Sequence, residues 1–293
     1  MSGSADSALW VYLNGKVVPA AEATVSVFDR SFVYGDGVFE GIEVENGGIF
    51  KLDAHVERLY RSAAFLRIAI PIPKSAMREA IVEVVRRSEL RNGYVRPLVS
   101  RGAGPLGLER VAELGPPTVV VMPQHRPPKE ARSYRAVILA TRRNPPECLD
   151  PRVKSNNYLN NVLGKFEQLD AGADAGIFLD VDGFVSECCG ENLFAVREGR
   201  LATPPATRTL DGITRQTVIA LARDAGIPVA ETEMTRYDLY TADELFLTAT
   251  LSGIGYILEV DGRRIGSGEP GPVSRRLYEL YRACKQRESV FVL

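Results

Sequence analysis

The stretch VKSNNYLNNVLGK, residues 153–165, places Lys154 directly ahead of a cluster of four asparagines. Leu159, Val162, Leu163, Phe166 and Leu169 recur at helical spacing, which predicts a helix with one apolar face over about 158–170. Ser155 or Asn156 is the expected N-cap, because either side-chain oxygen can accept from an unpaired backbone N–H. The preceding RRNPPECLDPR carries three prolines and cannot be helical. Lys154 therefore stands on the turn leading into the helix, beside the positive end of its dipole. A cation is disfavoured there, and a lysine that sheds its proton becomes a nucleophilic amine. Taken alone, the same residue reads as an ordinary solvated lysine.

Three other groups have residue types that could do chemistry. In TLDGITRQTVIALA, residues 209–222, Gly212 precedes a helix whose first positions are Ile213 and Thr214. Backbone N–H groups at a helix N-terminus with a hydroxyl beside them suit an anion, best a phosphate, although an ordinary capped helix has the same pattern. Glu187, on the strand FVSECCGENLF, needs a cationic or N–H partner if partly buried; a protonated pyridine nitrogen or an arginine would serve. In YVR, residues 94–96, strand alternation puts Tyr94 and Arg96 on one face, a phenol beside a guanidinium, which suits a carboxylate. Tyr34 and Phe39 lie among the glycines of RSFVYGDGVFEG and could line an apolar pocket; the G-D-G spacing fits no nucleotide fingerprint.

These groups need elements to hold them. Turns at Asn14-Gly15, Asn46-Gly47-Gly48, Asp182-Gly183 and Glu198-Gly199 predict hairpins, and EVDGRRIG another. Helices are expected at about 54–68 capped by Asp53, from Ser75 onward, over GITRQTVIALARDAG with Gly226 past its end, and at 271–288. Strands are expected at 94–101 and 117–123, and over RAVILAT and ELFLTAT. The polar, twice-proline QHRPPKEARSY marks a linker at 124–134 between a small domain, 1–123, and a large one, 135–293. Helices mix with antiparallel strands and strict βαβ alternation is absent, so the class is α+β in two domains.

Bulk composition narrows the function. A net charge of −1 gives no general case for nucleic acid or acidic membranes, and no apolar run reaches membrane-spanning length. The first ten residues lack a secretory pattern, so a cytoplasmic protein is expected. Four cysteines without a C-x-x-C pair and only two histidines argue against a disulfide framework, a metal centre or a histidine triad. Difficult chemistry would then fall to an organic cofactor.

In order, YLNGKVVP, VYGDGVFEGI, HVERLYRSA, YVRPLVSRG, VKSNNYLNNVLGK, SECCGENLF, DGITRQTV and DLYTADELFLTAT cover most of the chain. The sequence resembles the fold-type IV (class IV) pyridoxal-phosphate aminotransferases, related in fold to D-amino acid aminotransferase, and most closely the branched-chain amino acid aminotransferases. The resemblance implies pyridoxal 5'-phosphate between the two domains, a pseudo-barrel in the large one, and Lys154 as the Schiff-base lysine and proton shuttle. It implies Glu187 at the pyridine nitrogen, Tyr158 at the 3' oxygen and Leu210 against the ring. Arg58, Ile213, Thr214 and Thr250 would hold the phosphate. Tyr34, Phe39 and Tyr94 would wall the substrate pocket, Arg96 would take the second carboxylate of glutamate, and the N–H groups of Thr250 and Leu251 the α-carboxylate.

The implied reaction is transamination between leucine, isoleucine or valine and 2-oxoglutarate. D-amino acid or (R)-amine transamination, or an aminodeoxychorismate lyase reaction, are the alternatives. A homodimer is implied because the loop AGPLGLER, near 103–110, reaches the neighbouring subunit's pocket in that family. Two departures stand out. Leu251 replaces a usual alanine, and Cys188-Cys189 replaces smaller residues behind the cofactor.

Overall fold

The computed structural model describes residues 9–128 and 130–293. Two compact units divide the chain: residues up to Pro128 with Val153–Asn157 and Glu288–Leu293 form the first, and the remainder forms the second. The crossing at Pro128 falls inside the expected linker at 124–134. The segment bearing Lys154, however, belongs to the first unit rather than to 135–293 as a block.

The first unit is built from β1 (Trp10–Leu13), β2 (Lys16–Pro19), α1 (Arg30–Tyr34), β3 (Gly37–Phe39), β4 (Ile42–Glu45), β5 (Gly48–Phe50), α2 (Leu52–Phe65), α3 (Lys74–Arg87), β6 (Gly93–Ser100) and β7 (Val119–His125). Its sheet runs from the strand Ser289–Phe291 through β5, β4, β6, β7 and β1 to β2, with β3 also paired to β6. Asn14 at φ 47° and Gly15 at φ 94° make the tight turn that joins β1 to β2. Leu52, Val56, Leu59 and Ala63 of α2, with Met77, Ile81, Val84 and Val85 of α3, cover Val44, Val95, Val99 and Val121 of the sheet. That packing leaves Tyr94 and Arg96 on the opposite face of β6, as alternation requires. β6 is flanked on both sides, so Arg96 is not on an edge strand. Asp53 does not cap α2: Lys51, at φ 51°, holds that position and Asp53 pairs with Arg78 at 3.1 Å.

The second unit contains β8 (Ser133–Ile138), α4 (Pro146–Leu149), α5 (Leu159–Asp170), β9 (Ala175–Leu179), β10 (Val185–Cys188), β11 (Asn192–Arg197), β12 (Arg200–Thr203), α6 (Ile213–Asp224), β13 (Val229–Glu231), α7 (Arg236–Tyr240), β14 (Glu244–Ala249), β15 (Gly253–Val260), β16 (Arg263–Arg264) and α8 (Pro272–Glu288). Its sheet runs β10-β9-β8-β15-β14-β11-β12-β13, with β16 beside β15. Parallel pairs of β8 with β9 and β15 mix with antiparallel hairpins, an α+β arrangement.

α5 departs from expectation at both its start and its faces. Tyr158, not Ser155 or Asn156, occupies the N-cap position, and no side chain caps it. Leu159, Val162, Leu163, Phe166 and Leu169 are all exposed, from 40 to 77 %. The buried stripe is instead Asn161, Gly164 and Gln168. Gly164 allows this inversion: a Cβ there would lie 2.3 Å from the Phe178 ring, so only glycine lets the helix approach β9 so closely. Asn161 Nδ2 donates to Cys189 O at 2.8 Å and Gln168 Nε2 to Ala173 O at 3.1 Å, which satisfies the polar groups that this face buries.

Candidate active site

In the first unit, the segment 153–157 lies along β3 like an added strand. Phe39 N donates to Lys154 O at 3.0 Å, Asn156 N donates to Gly37 O at 2.9 Å, and Ser155 bridges Val38. Gly37 makes this contact possible, because a Cβ there would lie 2.5 Å from Asn156 Nδ2 and 2.7 Å from Val99 O. Asn156 Nδ2 reaches Ser31 Oγ at 2.5 Å and Asn157 Nδ2 reaches Gly35 O at 2.8 Å, so both asparagines anchor the segment to α1 and its end. Lys154 is thus placed by a strand-like pairing rather than by a helix N-terminus.

Its amine lies 4.5 Å from the centre of the Phe39 ring, and the Arg96 guanidinium lies 4.7 Å from the same ring. Arg96 also approaches Tyr94, at 5.7 Å, and Arg126 covers Tyr94 at 4.9 Å. Arg96 Nε is buried and has no hydrogen-bond partner among the described residues. The Lys154 amine, an apolar ring and a guanidinium are therefore contiguous. Tyr34 instead closes α1: its hydroxyl accepts from Gly107 N at 3.1 Å, under the Arg30 guanidinium.

Arg58 faces inward from α2. Its Nε and Nη2 donate to the two oxygens of Glu40 at 2.6 and 2.8 Å, and His55 Nδ1 lies 2.8 Å from Glu40 Oε2. Burial pushes the Glu40 carboxyl up, but Arg58 and His55 outweigh it and hold the acid well below the carboxylate range. Burial lowers the His55 pKa, with Arg58 and Lys154 adding to the effect against Glu40, so the imidazole is neutral. Because Glu40 is an anion, Nδ1 carries the proton and donates.

In the second unit, Glu187 on β10 is 5 % exposed. Arg143 Nε donates to its Oε1 at 2.8 Å. Oε2 accepts from Thr209 Oγ1 at 2.7 Å, from Leu210 N at 3.0 Å and from Asn192 Nδ2 at 3.4 Å. Asn192 Nδ2 also reaches Leu210 O and the Thr209 hydroxyl, both at 2.8 Å. Glu187 therefore has the arginine partner considered from sequence, while the donors on Oε2 leave Oε1 the less crowded oxygen. Asn160 Oδ1 accepts from Arg143 Nη1 at 3.0 Å, and its amide donates to Arg142 O. Tyr158, at the N-cap position of α5, is partly buried.

Leu210 leads through Gly212 into α6, whose N-terminus has no side-chain cap. Ile213 and Thr214 are buried, and Thr214 Oγ1 has no hydrogen-bond partner among the described residues. A buried hydroxyl without a partner at an uncapped helix N-terminus fits an anion such as a phosphate. Thr250 and Leu251 lie in the short loop between β14 and β15, which closes on Gly253 at φ 60°. Thr248 Oγ1 and Ser252 Oγ beside that loop are likewise buried without partners among the described residues. Cys188 and Cys189 are free and buried; burial raises the Cys188 thiol and pushes Cys189 up to about 11, so neither is an active nucleophile.

The amino-transferase class IV family profile matches residues 37–260. This chain belongs to the class IV aminotransferases. A Methanocaldococcus jannaschii protein, a putative branched-chain-amino-acid aminotransferase, is 44 % identical over 96 % of this chain and 98 % of its own length. The Pseudomonas aeruginosa branched-chain-amino-acid aminotransferase is 34 % identical over 94 % and 92 % of the two chains. Among solved structures, the Escherichia coli branched-chain amino acid aminotransferase is 32 % identical, covers 97 and 96 % of the two chains, and has a TM-score of 0.89. A second solved branched-chain amino acid aminotransferase, complexed with N-(5'-phosphopyridoxyl)-L-glutamate, is 38 % identical over 98 and 99 % of the two chains with a TM-score of 0.93; complexed with 4-methylvaleric acid, it gives 0.90.

For this aminotransferase, sequence reasoning missed Glu40, His55, Arg143, Asn160, Asn192 and Thr209. Asn192 stands inside the GENLF motif, and His55 shares a helix face with Arg58 at i, i+3 spacing. Those two signals were present in the sequence. The pairing of Arg143 with Glu187 had none, because 44 residues separate them.

Proposed function

We propose that this chain is a pyridoxal-phosphate-dependent branched-chain amino acid aminotransferase with 2-oxoglutarate as the amino acceptor. One observation carries the reading: the Lys154 amine and the Arg96 guanidinium both stack on Phe39. An apolar ring beside the reactive amine suits an aliphatic side chain, and the cation next to it suits the distal carboxylate of the acidic substrate. The 4-methylvaleric acid and phosphopyridoxyl-glutamate complexes of the solved relative support both halves of that specificity.

When bound, the cofactor acts as the electron sink for the pair released at the substrate Cα. Lys154 would anchor it covalently and carry a proton to and from that carbon. Glu187, which accepts from Arg143 and three further donors, would face the ring nitrogen, and Tyr158 and Leu210 would contact the ring. In the second unit Ile213, Thr214 and Thr250 would hold the phosphate, and the Thr250 and Leu251 N–H groups would take the α-carboxylate; in the first unit Arg58 is the residue that would meet a phosphate. Phe39 and Tyr94 would shape the side-chain pocket, whereas Tyr34 is engaged by Gly107 N. The working form is a homodimer, supported by the exposed apolar stripe of α5 and by exposed Phe28, Phe32, Leu106 and Leu108 in the first unit.

Lys154→Ala tests the reading. Transamination of leucine with 2-oxoglutarate should fall by at least about a thousandfold while the fold is retained, since proton transfer alone contributes up to roughly 10⁴. A variant that still forms a borohydride-reducible link to the cofactor would overturn the assignment of Lys154.

A further inference from the structure

Glu40, His55 and Arg58 form a buried cluster in the first unit that the reaction as described uses only through Arg58. Their side chains are 0, 0 and 6 % exposed. Glu40 follows β3, where its own N–H donates to Pro97 O at 2.9 Å, so the backbone fixes where the carboxylate starts. His55 and Arg58 lie one turn apart on α2 and meet the same carboxylate. An ion pair this deep is a poor way to add stability, because desolvation offsets most of the attraction. It does, however, fix geometry.

The carboxylate meets the guanidinium at Nε and Nη2 with two short bonds. That two-point contact sets both the plane and the roll of the group, so a second anion meets it in one fixed orientation. His55 in turn fixes the carboxylate by donating from Nδ1, and its buried Nε2 has no partner among the described residues. We propose that Glu40 and His55 are positioning residues that lock the Arg58 guanidinium in the orientation that meets the cofactor phosphate. The proposal rests on the reading of Arg58 as a phosphate ligand. It also makes a distinction that charge alone does not. Glu40 neutralises Arg58, so if net charge governed phosphate binding, the acid would only weaken it.

Glu40→Asp separates the two possibilities, because it keeps the charge and withdraws the carboxylate by one methylene. Full-length protein freed of cofactor is titrated with pyridoxal 5'-phosphate and with pyridoxal, which lacks the phosphate. The signal is the visible band. Glu40→Asp should raise the Kd of the phosphorylated compound about tenfold, the scale of re-ordering one long side chain, and leave that of pyridoxal within about twofold. His55→Gln, which removes the Nδ1 donor, should shift the same ratio by about threefold. Retained pyridoxal binding reports that each variant is folded.

The proposal is overturned if Glu40→Asp leaves the ratio of the two Kd values unchanged, whether both are unaltered or both rise together. An unaltered ratio in His55→Gln removes His55 from it. Arg58→Gln serves as the separate check. If it too leaves the ratio unchanged, the phosphate role of Arg58 itself is wrong; if it collapses the ratio while Glu40→Asp does not, only the positioning role fails.

Discussion

In each unit a glutamate is buried against an arginine, and these two pairs are built in opposite senses. In the first unit, Arg58 makes two bonds to Glu40, and the remaining help, from His55, goes to the acid. In the second, Arg143 makes one bond to Glu187, and three neutral donors satisfy the other oxygen. The first arrangement immobilises a cation; the second surrounds a carboxylate with donors while leaving part of Oε1 for another. The same two residue types thus serve opposite roles, decided by which partner has its directions used up.

Cutting each acid should break the comparison most visibly. Glu40→Ala leaves Arg58 buried without its counter-ion and strips His55 of its acceptor, so a loss of about 5 kcal/mol is expected, the upper end for a broken buried pair. Glu187→Ala should lose nearer about 3 kcal/mol, since Arg143 keeps its bond to Asn160, yet it should remove far more activity than its stability loss explains. Urea unfolding of the two variants beside turnover measurements checks both halves. Equal losses of stability and activity would abolish the contrast.

Acid should act first on the first unit. The folded His55 prefers the neutral form, with a pKa lowered from its usual 6.5, and Glu40 is lowered from 4.5. Below about pH 6.5 the unfolded chain binds protons that the folded chain resists, so stability falls with pH, and more steeply once the pH passes below about 4.5. Melting temperature against pH should flatten between those two values in His55→Gln. The same slope in wild type and variant would place the acid sensitivity elsewhere.

Smaller effects are expected at the N-terminus of α6 and in the β14–β15 loop. On the proposed phosphate role, Thr214→Val would remove one hydrogen bond to a charged group, worth roughly 1.5–3 kcal/mol, so cofactor Kd should rise about tenfold or more with turnover of the saturated enzyme little changed. Leu251→Ala should shift relative kcat/KM among valine, leucine and larger donors by about 1–3 kcal/mol. Its melting temperature should barely move, because Leu251 is only partly buried. A drop of the size seen for core leucines, about 2–5 kcal/mol, with an unaltered donor profile would put the side chain in the core instead.

Much of this was legible in the sequence for local reasons. The hairpins at Asn14-Gly15, Asp182-Gly183 and Glu198-Gly199 announce themselves because their turns demand positive φ. α6 was legible because Gly212 before it and Gly226 after it bracket a periodic run. α5 was legible as a helix, but its faces were not: periodicity shows that apolar residues share a side, not that anything in the same chain covers them. Gly164, which decides the inversion, looks like any glycine until Phe178 is set against it. Glu40 with Arg58, and Arg143 with Glu187, stayed hidden because 18 and 44 residues separate the partners. The four asparagines could be seen as a cluster, whereas their division into two that hold the lysine segment and two that hold Arg143 and Cys189 required the fold.

Gly37 carries a mechanical consequence. A Cβ on it would lie 2.5 Å from Asn156 Nδ2 and 2.7 Å from Val99 O, so β3 leaves no room for one between the lysine segment and β6. A single methyl placed there would act as a shim, lifting Ser155 and its neighbours off the strand without touching a charge, a hydroxyl or a ring. The placing of Lys154 is therefore gauged by a residue that has no side chain at all.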